Sequence, residues 1–309
     1  QLKTLVAEGA DTNIIYEALV INDIQAACDH FIGLYETSGR SDGFVSLEVS
    51  PHLAHNTAGT IEEARRLYQT VNRPNVMIKV PATAEGIPAI ETLISEGINV
   101  NITLMFNMSH YEAVSQAYLN GLQKLLADGG DPTKVASVAS FFVSRVDTAV
   151  DAALEALNDP AAQELRGQTA IANAKVVYQR FQEIFYGDAK FEALRQAHAA
   201  PQRLLWASTS TKDPAYPDTL YVDELIGTET VNTMPPATMD AFRDHGTLGK
   251  TLTQDVAQAQ QVLDSLQKLG IDLHAITEKL QEDGVVAFEE SFDDLMNAIE
   301  SKVQRLSGG

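Results

Sequence analysis

The chain has 309 residues, 45% of them hydrophobic, which is enough for one large α/β domain or two small ones. Its 42 acidic and 22 basic residues give a formal net charge of -20, which argues against binding to nucleic acid or to an anionic membrane surface. Cys28 is the single cysteine, so no intrachain disulfide can form, and no apolar run approaches transmembrane length. We expect a cytoplasmic protein.

Apolar spacing and turn residues predict strands and helices in alternation along the chain. Six strands are predicted, over residues 43–51, 75–83, 98–106, 135–144, 204–208 and 230–234. Helices are predicted over residues 12–37, 61–72, 85–96, 108–127, 147–157, 161–186, 188–199 and 218–226, and residues 237–304 should be mostly helical. No linker or internal repeat divides the chain, so we expect a single domain over residues 1–309.

This alternation indicates βαβ units and a parallel sheet. A doubly wound nucleotide-binding fold would carry G-x-G-x-x-G after a strand, and neither that motif nor a P-loop is present. A (β/α)8 TIM barrel is therefore the better interpretation, although it normally needs eight strands and only six are predicted. The first 43 residues contain no convincing strand.

A lysine interrupts one of these strands, the stretch from Asn75 to Thr83. A near-continuous apolar run is typical of a buried parallel strand, and burying an ammonium there costs several kcal/mol, roughly, unless it is paired or loses its proton. An amine that has given up its proton is a nucleophile towards carbonyls. Lys79 is thus either a Schiff-base lysine or a strand-end lysine that extends into solvent.

Polar side chains recur at the carboxyl ends of the strands, where barrel enzymes carry their chemistry. A lysine and a carboxylate together can form an imine with a ketone and move the protons, while amides and hydroxyls can hold the substrate hydroxyls. Cations with serine hydroxyls can hold a phosphate. The candidates, in chain order, are Glu48, Lys79, Asn101, Thr103, Ser140, Arg145, Ser208 and Lys212.

Each candidate also has a purely structural interpretation. Glu48 and Lys79 could form a structural ion pair, and the polar side chains of the third and fourth strands could bond backbone or fill the core. Arg145 could pair with Asp147 or Asp151 on the helix surface. Ser208 and Lys212 could be ordinary loop residues. The shared position at strand ends favours a site over these separate readings.

Four strings closely resemble the transaldolase family: VSLEV at 45–49, MIKVPAT at 77–83, GINVNITLMF at 97–106 and ASFFVSR at 139–145. LWASTSTKDPAY at 205–216 and TVNTMP at 230–235 resemble its longer bacterial subfamily. The resemblance covers nearly the whole chain. It implies a (β/α)8 barrel of the class I aldolase type, without metal or organic cofactor, that acts on sugar phosphates. The implied reaction transfers a dihydroxyacetone unit from sedoheptulose 7-phosphate to glyceraldehyde 3-phosphate.

The resemblance also implies a role for each candidate. Lys79 would form the Schiff base with the ketose, Glu48 would act as acid and base through a water, and Thr103 would position that water. Asn101 and Ser140 would bind hydroxyls of the donor. The phosphate would be held by Arg145 and Ser208.

Two features depart from the family pattern. Better-known members carry an arginine two residues after the phosphate-binding serine, where this chain has Ser210, and Lys212 is our candidate for the missing cation. Members also begin with two further strands, the first carrying an aspartate that acts on the C3–C4 bond, and residues 1–43 contain neither. Asp11 and Asp23 lie in helical contexts and are poor replacements. We therefore expect this chain alone to be a poor catalyst, even if its lysine reacts.

Two other functions stay open at this point. One is a fructose 6-phosphate aldolase-like cleavage that releases the three-carbon unit to water, and the other is a non-catalytic sugar-phosphate-binding relic. A metal site is disfavoured, since His52 and His55 have metal-like spacing but lie in a loop that needs no ion. The sequence leaves a homodimer open.

Overall fold

The computed structural model describes residues 2–187 and 189–307, and strands alternate with helices from residue 45 onward. The strands are β1 (Val45–Glu48), β2 (Val76–Pro81), β3 (Val100–Met105), β4 (Ser137–Phe142), β5 (Arg203–Ala207) and β6 (Thr230–Asn232). The helices are α1 (Leu2–Ala7), α2 (Thr12–Thr37), α3 (Thr57–Val71), α4 (Gly86–Ser95), α5 (Met108–Ala127), α6 (Ser144–Ala156), α7 (Pro160–Gln163), α8 (Thr169–Gln182), α9 (Ala189–Gln196), α10 (Leu220–Glu224), α11 (Pro236–His245), α12 (Val256–Lys268) and α13 (Leu273–Ser307).

All six strands lie parallel in one sheet, and their order in the sheet is their order along the chain. Each strand adds beside the preceding one, as in a (β/α)8 barrel, whereas a doubly wound sheet reverses direction at a switch point. Within the described residues, β1 and β6 each pair on one side only. The prediction of an α/β fold with six parallel strands, and with none in residues 2–43, is confirmed.

The sequence of β2 shows how one face of the sheet packs against helices while the other carries the polar side chains. Side chains alternate between the two faces of a strand, so Val76, Ile78 and Val80 share one face. They are fully buried in a core that also includes the apolar faces of α3 and α4. Burying each such aliphatic side chain stabilises the fold by about 1.5–3 kcal/mol. The opposite face of β2 carries Met77 and Lys79, and Lys79 is the one residue of the strand that is not buried.

The predicted helix over residues 161–186 is wrong. The chain instead forms the short helix α7, a loop, and then α8, which ends in the π-helical turn Glu183–Gly187. The loop contains Gly167 at a φ of 71°, a left-handed conformation that glycine adopts without strain. Its backbone N–H donates to Asp151 Oδ1 of α6 at 3.0 Å, which gives the turn a partner that a continuous helix would not offer.

Helix α13 lies across the carboxyl ends of the first three strands. Its Gln281 Nε2 donates to the carbonyl oxygen of Ala82, just after β2, at 3.0 Å and to that of Leu104, in β3, at 2.9 Å. Further along, Asp293 contacts His52 Nε2, in the segment after β1, at 2.8 Å. The bounds of α11, α12 and α13 confirm the prediction that residues 237–304 are mostly helical. Among the described residues, none of the helices has the length and apolarity needed to cross a membrane.

Candidate active site

A lysine and a carboxylate meet at the carboxyl ends of β1 and β2. Parallel pairing sets Glu48 directly beside Lys79, and Lys79 Nζ lies 3.6 Å from Glu48 Oε2. Burial raises the pKa of Glu48, and the nearby ammonium only partly offsets this effect. A carboxyl with a raised pKa holds a proton more readily near neutral pH, which suits a group that must both give and take protons.

A hydrogen-bonded row of polar side chains continues from this pair along the same ends of the strands. Asn101 of β3 lies beside Lys79 in the strand register. Its amide oxygen accepts from Ser140 Oγ at 2.7 Å, and its Nδ2 donates to Ser46 Oγ at 3.0 Å. Asn101 and Ser140 are both buried, so the row is held by contacts that a solvated loop would lack.

Thr103 lies next along β3, opposite Pro81, and is fully buried. Its hydroxyl oxygen has no hydrogen-bond partner in the part of the chain that the structure describes, and a buried hydroxyl left in this way costs about 1–3 kcal/mol. The register between β3 and β4 shifts immediately afterwards, and Leu104 takes a φ of 61°. Such bulges commonly redirect side chains next to active sites.

Arg145, in the first turn of α6, is a half-buried cation that pairs with no carboxylate within residues 2–187 and 189–307. Burial lowers the pKa of its guanidinium, whose central carbon lies 5.3 Å from the centre of the Phe142 ring. The structural alternative, a surface pair with Asp147 or Asp151, is not found among the described residues, where both carboxylates accept hydrogen bonds from backbone N–H groups and tyrosine hydroxyls. An unpaired, partly desolvated arginine favours an anion as its partner.

Ser208 lies beside the start of α6. Its hydroxyl is 2.8 Å from that of Ser144, and its carbonyl oxygen accepts from the Ser144 N–H at 3.0 Å. Ser208 has a φ of 57° just beyond β5, so the chain turns there sharply. These contacts bring Ser208 next to the residue that precedes Arg145.

Lys212 is placed differently from the other candidates. It is exposed, and its Nζ donates to Ser210 Oγ at 2.8 Å. It lines a cavity of about 370 Å³ together with several carboxylates, among them Asp151 and Asp213. No hydrogen bond joins it to Arg145 or Ser208 within the described residues.

The loop that carries Ser208 and Lys212, and the helix α10 that follows it, are each tied to α6 by a tyrosine. Tyr216 OH donates to Asp151 Oδ2 at 2.7 Å, and Tyr221 OH donates to Asp147 Oδ2 at 2.9 Å. Asp147 Oδ1 also accepts from the Ala170 N–H at 2.7 Å. Since α6 begins with Ser144 and Arg145, these bonds fix the segment around Ser208 relative to the start of α6.

Burial of Asp147 has a measurable consequence for stability. Burial raises the pKa of this carboxyl from 3.8 to about 6. As pH rises from about 4 to 6, the Asp147 carboxyl loses its proton in the unfolded chain before it does so in the folded protein. The unfolded state therefore gains in relative stability, by up to about 3 kcal/mol, and the full effect is reached above pH 6. We expect the free energy of unfolding of Asp147→Asn, measured in urea, to rise relative to that of the unmodified chain over this interval.

The exposed carboxylate Asp128 provides the control for this series. Asp128→Asn should follow the unmodified chain from pH 4 to 7. A pH-independent difference between Asp147→Asn and the unmodified chain would contradict a raised Asp147 pKa.

Two residues at the site were not among the sequence candidates. Ser46 precedes Glu48 by two residues, so the alternation of side chains along a strand could have indicated it. Phe288 of α13 has its ring centre 5.4 Å from Lys79 Nζ, and no motif or spacing indicates a residue so far along the chain.

The two aspartates considered as replacements lie on α2. Asp11 caps that helix, accepting from the Ile14 N–H at 2.9 Å, and Asp23 is on its exposed side. His52 and His55 contact carboxylates of α13 and of the segment before α4. Within residues 2–187 and 189–307, His, Cys, Asp and Glu side chains form no group of three or more that could hold a metal ion.

Comparison with known proteins agrees with this fold. Residues 1–299 match the family model described as Transaldolase/Fructose-6-phosphate aldolase. A transaldolase from Parafrankia sp. (strain EAN1pec) is 48% identical over 304 residues, covering 98% of this chain and 82% of the relative. A transaldolase from Thiobacillus denitrificans is 50% identical over 298 residues, covering 96% and 83%. The resemblance drawn from the strand-end strings is confirmed, and with it the (β/α)8 class of fold. The chain belongs to the transaldolase/fructose-6-phosphate aldolase family.

Proposed function

We propose that this protein is a transaldolase that moves a dihydroxyacetone unit from sedoheptulose 7-phosphate to glyceraldehyde 3-phosphate, giving erythrose 4-phosphate and fructose 6-phosphate. The observation that carries the proposal is the pairing of Lys79 with Glu48 at the strand ends. A lysine that forms an imine needs a neighbouring group to move protons during addition and dehydration, and a carboxylate with a raised pKa meets that need.

In this proposal the Lys79 amine attacks the ketone carbon of the donor, and water leaves to form an iminium. Glu48 gives and takes the protons of these steps through a water that the Thr103 hydroxyl positions. The free hydroxyl of Thr103 supports this role, because it lies at the adjacent strand end and is engaged by no other described group. Breaking the donor C3–C4 bond sends its electron pair into the iminium, which becomes an enamine. The C4 hydroxyl gives its proton, through the same water, to the Glu48 carboxylate that the dehydration step left, and the aldehyde is released.

Substrate binding is assigned to the remaining candidates. Asn101 and Ser140 would bind donor hydroxyls, for which their hydrogen-bonded row is preorganised. Arg145 and Ser208 would hold the phosphate, supported by the unpaired, half-buried guanidinium. Lys212 is retained as a weaker contributor, because it is exposed and bonded to Ser210.

The phosphate assignment gives a prediction for two cations. Arg145→Ala should raise KM for fructose 6-phosphate by about 10- to 150-fold, the ratio that a charged hydrogen bond of roughly 1.5–3 kcal/mol implies, while leaving KM for unphosphorylated fructose unchanged. Lys212→Ala should have a smaller effect, since its ammonium is already solvated. Steady-state kinetics with both ketoses measures this.

The matched control is Arg65, an exposed arginine that pairs with Glu96 away from the strand ends. Arg65→Ala should leave both KM values unchanged. If Arg145→Ala raises the KM for both ketoses equally, or changes neither KM, Arg145 does not bind the phosphate.

The family description also names fructose-6-phosphate aldolase, so cleavage of fructose 6-phosphate to dihydroxyacetone is the second candidate function. Product analysis separates the two. Incubation with fructose 6-phosphate and erythrose 4-phosphate should give sedoheptulose 7-phosphate, with little dihydroxyacetone released when the acceptor is omitted. Rapid release of dihydroxyacetone with or without the acceptor would favour the aldolase. If neither incubation gives a product, both candidate functions are wrong.

A further inference from the structure

We infer that Phe288 of α13 is a specificity-determining residue, which keeps water from the reaction intermediate at Lys79 and so favours transfer over cleavage. This inference rests on the proposed function, because it concerns the fate of the enamine that a transaldolase forms. It assigns to the last helix a part in the chemistry, in addition to its packing against the strands.

The Phe288 ring covers the reactive amine. Lys79 Nζ lies 5.4 Å from the ring centre, within the range of a cation–π contact, and about a quarter of the Lys79 side chain remains exposed. The Phe142 ring, at the end of β4, is engaged by Arg145 and packs against Phe106 with ring centres 5.1 Å apart. In the described structure, Phe288 is the ring that lies over the Lys79 ammonium.

The helix is docked closely enough to hold that ring in place. Gln281 spans the two strand-end carbonyls already described, and Gly284 follows it by three residues on the same helical face. A side chain at Gly284 would bring its Cβ to 2.9 Å from Leu104 Cδ2, so glycine permits the close approach. Phe288 lies four residues after Gly284, one turn further on the same face, which directs it to the end of β2.

The chemistry explains why cover at this position affects the outcome. After the C3–C4 bond breaks, the enamine carbon carries the electron pair that must form a bond to the acceptor aldehyde. If the carbon instead takes a proton from water, the enamine becomes the iminium of dihydroxyacetone. A second water then adds to that iminium, the carbon–nitrogen bond breaks, and dihydroxyacetone and the free Lys79 amine are released.

An aromatic ring over the amine affects the competition between addition of the acceptor and protonation by water in two ways. Its apolar body occupies space through which water would reach the enamine, and its electron-rich face stabilises the iminium nitrogen, which forms where the ammonium now lies. A smaller side chain would remove both effects. An aliphatic side chain of similar size would keep the exclusion of water and lose only the electrostatic contribution.

The test compares Phe288→Ala and Phe288→Leu in the full chain, with fructose 6-phosphate as donor. Dihydroxyacetone release without acceptor and sedoheptulose 7-phosphate formation with erythrose 4-phosphate are measured for each variant. We expect the ratio of release to transfer to rise by about tenfold in Phe288→Ala, since tenfold requires only a small change in relative barriers. Phe288→Leu should keep a ratio close to that of the unmodified chain.

Phe292→Ala is the matched control for loosening of the helix. Phe292 lies one turn further along and packs edge-on against Tyr16, with ring centres 5.3 Å apart. Its ratio should stay unchanged. The inference is overturned if the unmodified chain transfers the three-carbon unit and Phe288→Ala has the same ratio of release to transfer. It is also overturned if Phe292→Ala raises that ratio as much as Phe288→Ala does. Failure of the unmodified chain to transfer at all would instead overturn the proposed function, and the inference with it.

Discussion

Replacing Lys79 by methionine is expected to lower the turnover of the chain by at least about 10⁴-fold, because methionine has no amine with which to form the proposed imine. Methionine keeps an unbranched, mostly apolar side chain on β2, so the strand should remain packed. The rate is measured as sedoheptulose 7-phosphate formed from fructose 6-phosphate and erythrose 4-phosphate.

The control for Lys79→Met is a second lysine, one that is buried away from the site. Lys175 of α8 is 5% exposed, and its Nζ lies 3.0 Å from Glu224 Oε2, away from the strand ends. Lys175→Met should reduce stability, because it leaves a carboxylate without its partner, yet the folded fraction should keep its turnover. Turnover that survives in Lys79→Met at more than a trace would show that Lys79 is not the nucleophile.

Replacing Glu48 by glutamine should lower the turnover by about 10²–10⁴-fold, the usual contribution of a positioned acid–base group. The unmodified chain should lose activity as pH falls, because protonated Glu48 cannot accept a proton. Burial raises the Glu48 pKa, so the midpoint of that loss should lie above the ordinary value of 4.5. The corresponding limb should be missing from the pH profile of Glu48→Gln.

Glu63 offers a carboxylate for comparison. It lines the same small cavity as Glu48, but its Oε2 accepts from the Ser50 N–H at 2.9 Å, a structural contact. Glu63→Gln should keep the acid limb of the pH profile. If the limb persists in Glu48→Gln, or if Glu63→Gln removes it, the proton transfers do not depend on Glu48.

The positions of Lys79 and Glu48 were predictable because strands impose simple rules. A parallel sheet brings the carboxyl ends of its strands together, and the side-chain period of two selects one face. The register then places Glu48, Lys79 and Asn101 side by side. Local patterns of a few residues were enough to find these three, since each lies inside an apolar strand where a polar residue is unusual.

The position of α13 over the strand ends could not be predicted in the same way. Contacts of Gln281 and Phe288 with the strand ends join residues far apart in the chain, and neither residue type is unusual in an amphipathic helix. The helix predicted over residues 161–186 failed for a related reason. The bond from the Gly167 N–H to Asp151 is tertiary, and it competes with the local periodicity on which the prediction depended.

The role proposed for Lys79 is tested most directly by trapping the imine and locating it. The full chain is incubated with fructose 6-phosphate, reduced with borohydride, digested, and its peptides are mapped by mass spectrometry. We expect a stable adduct on the peptide that contains Lys79 and none on the peptide that contains Lys175. An adduct confined to another lysine, or no adduct from a chain that still transfers the three-carbon unit, would contradict this role.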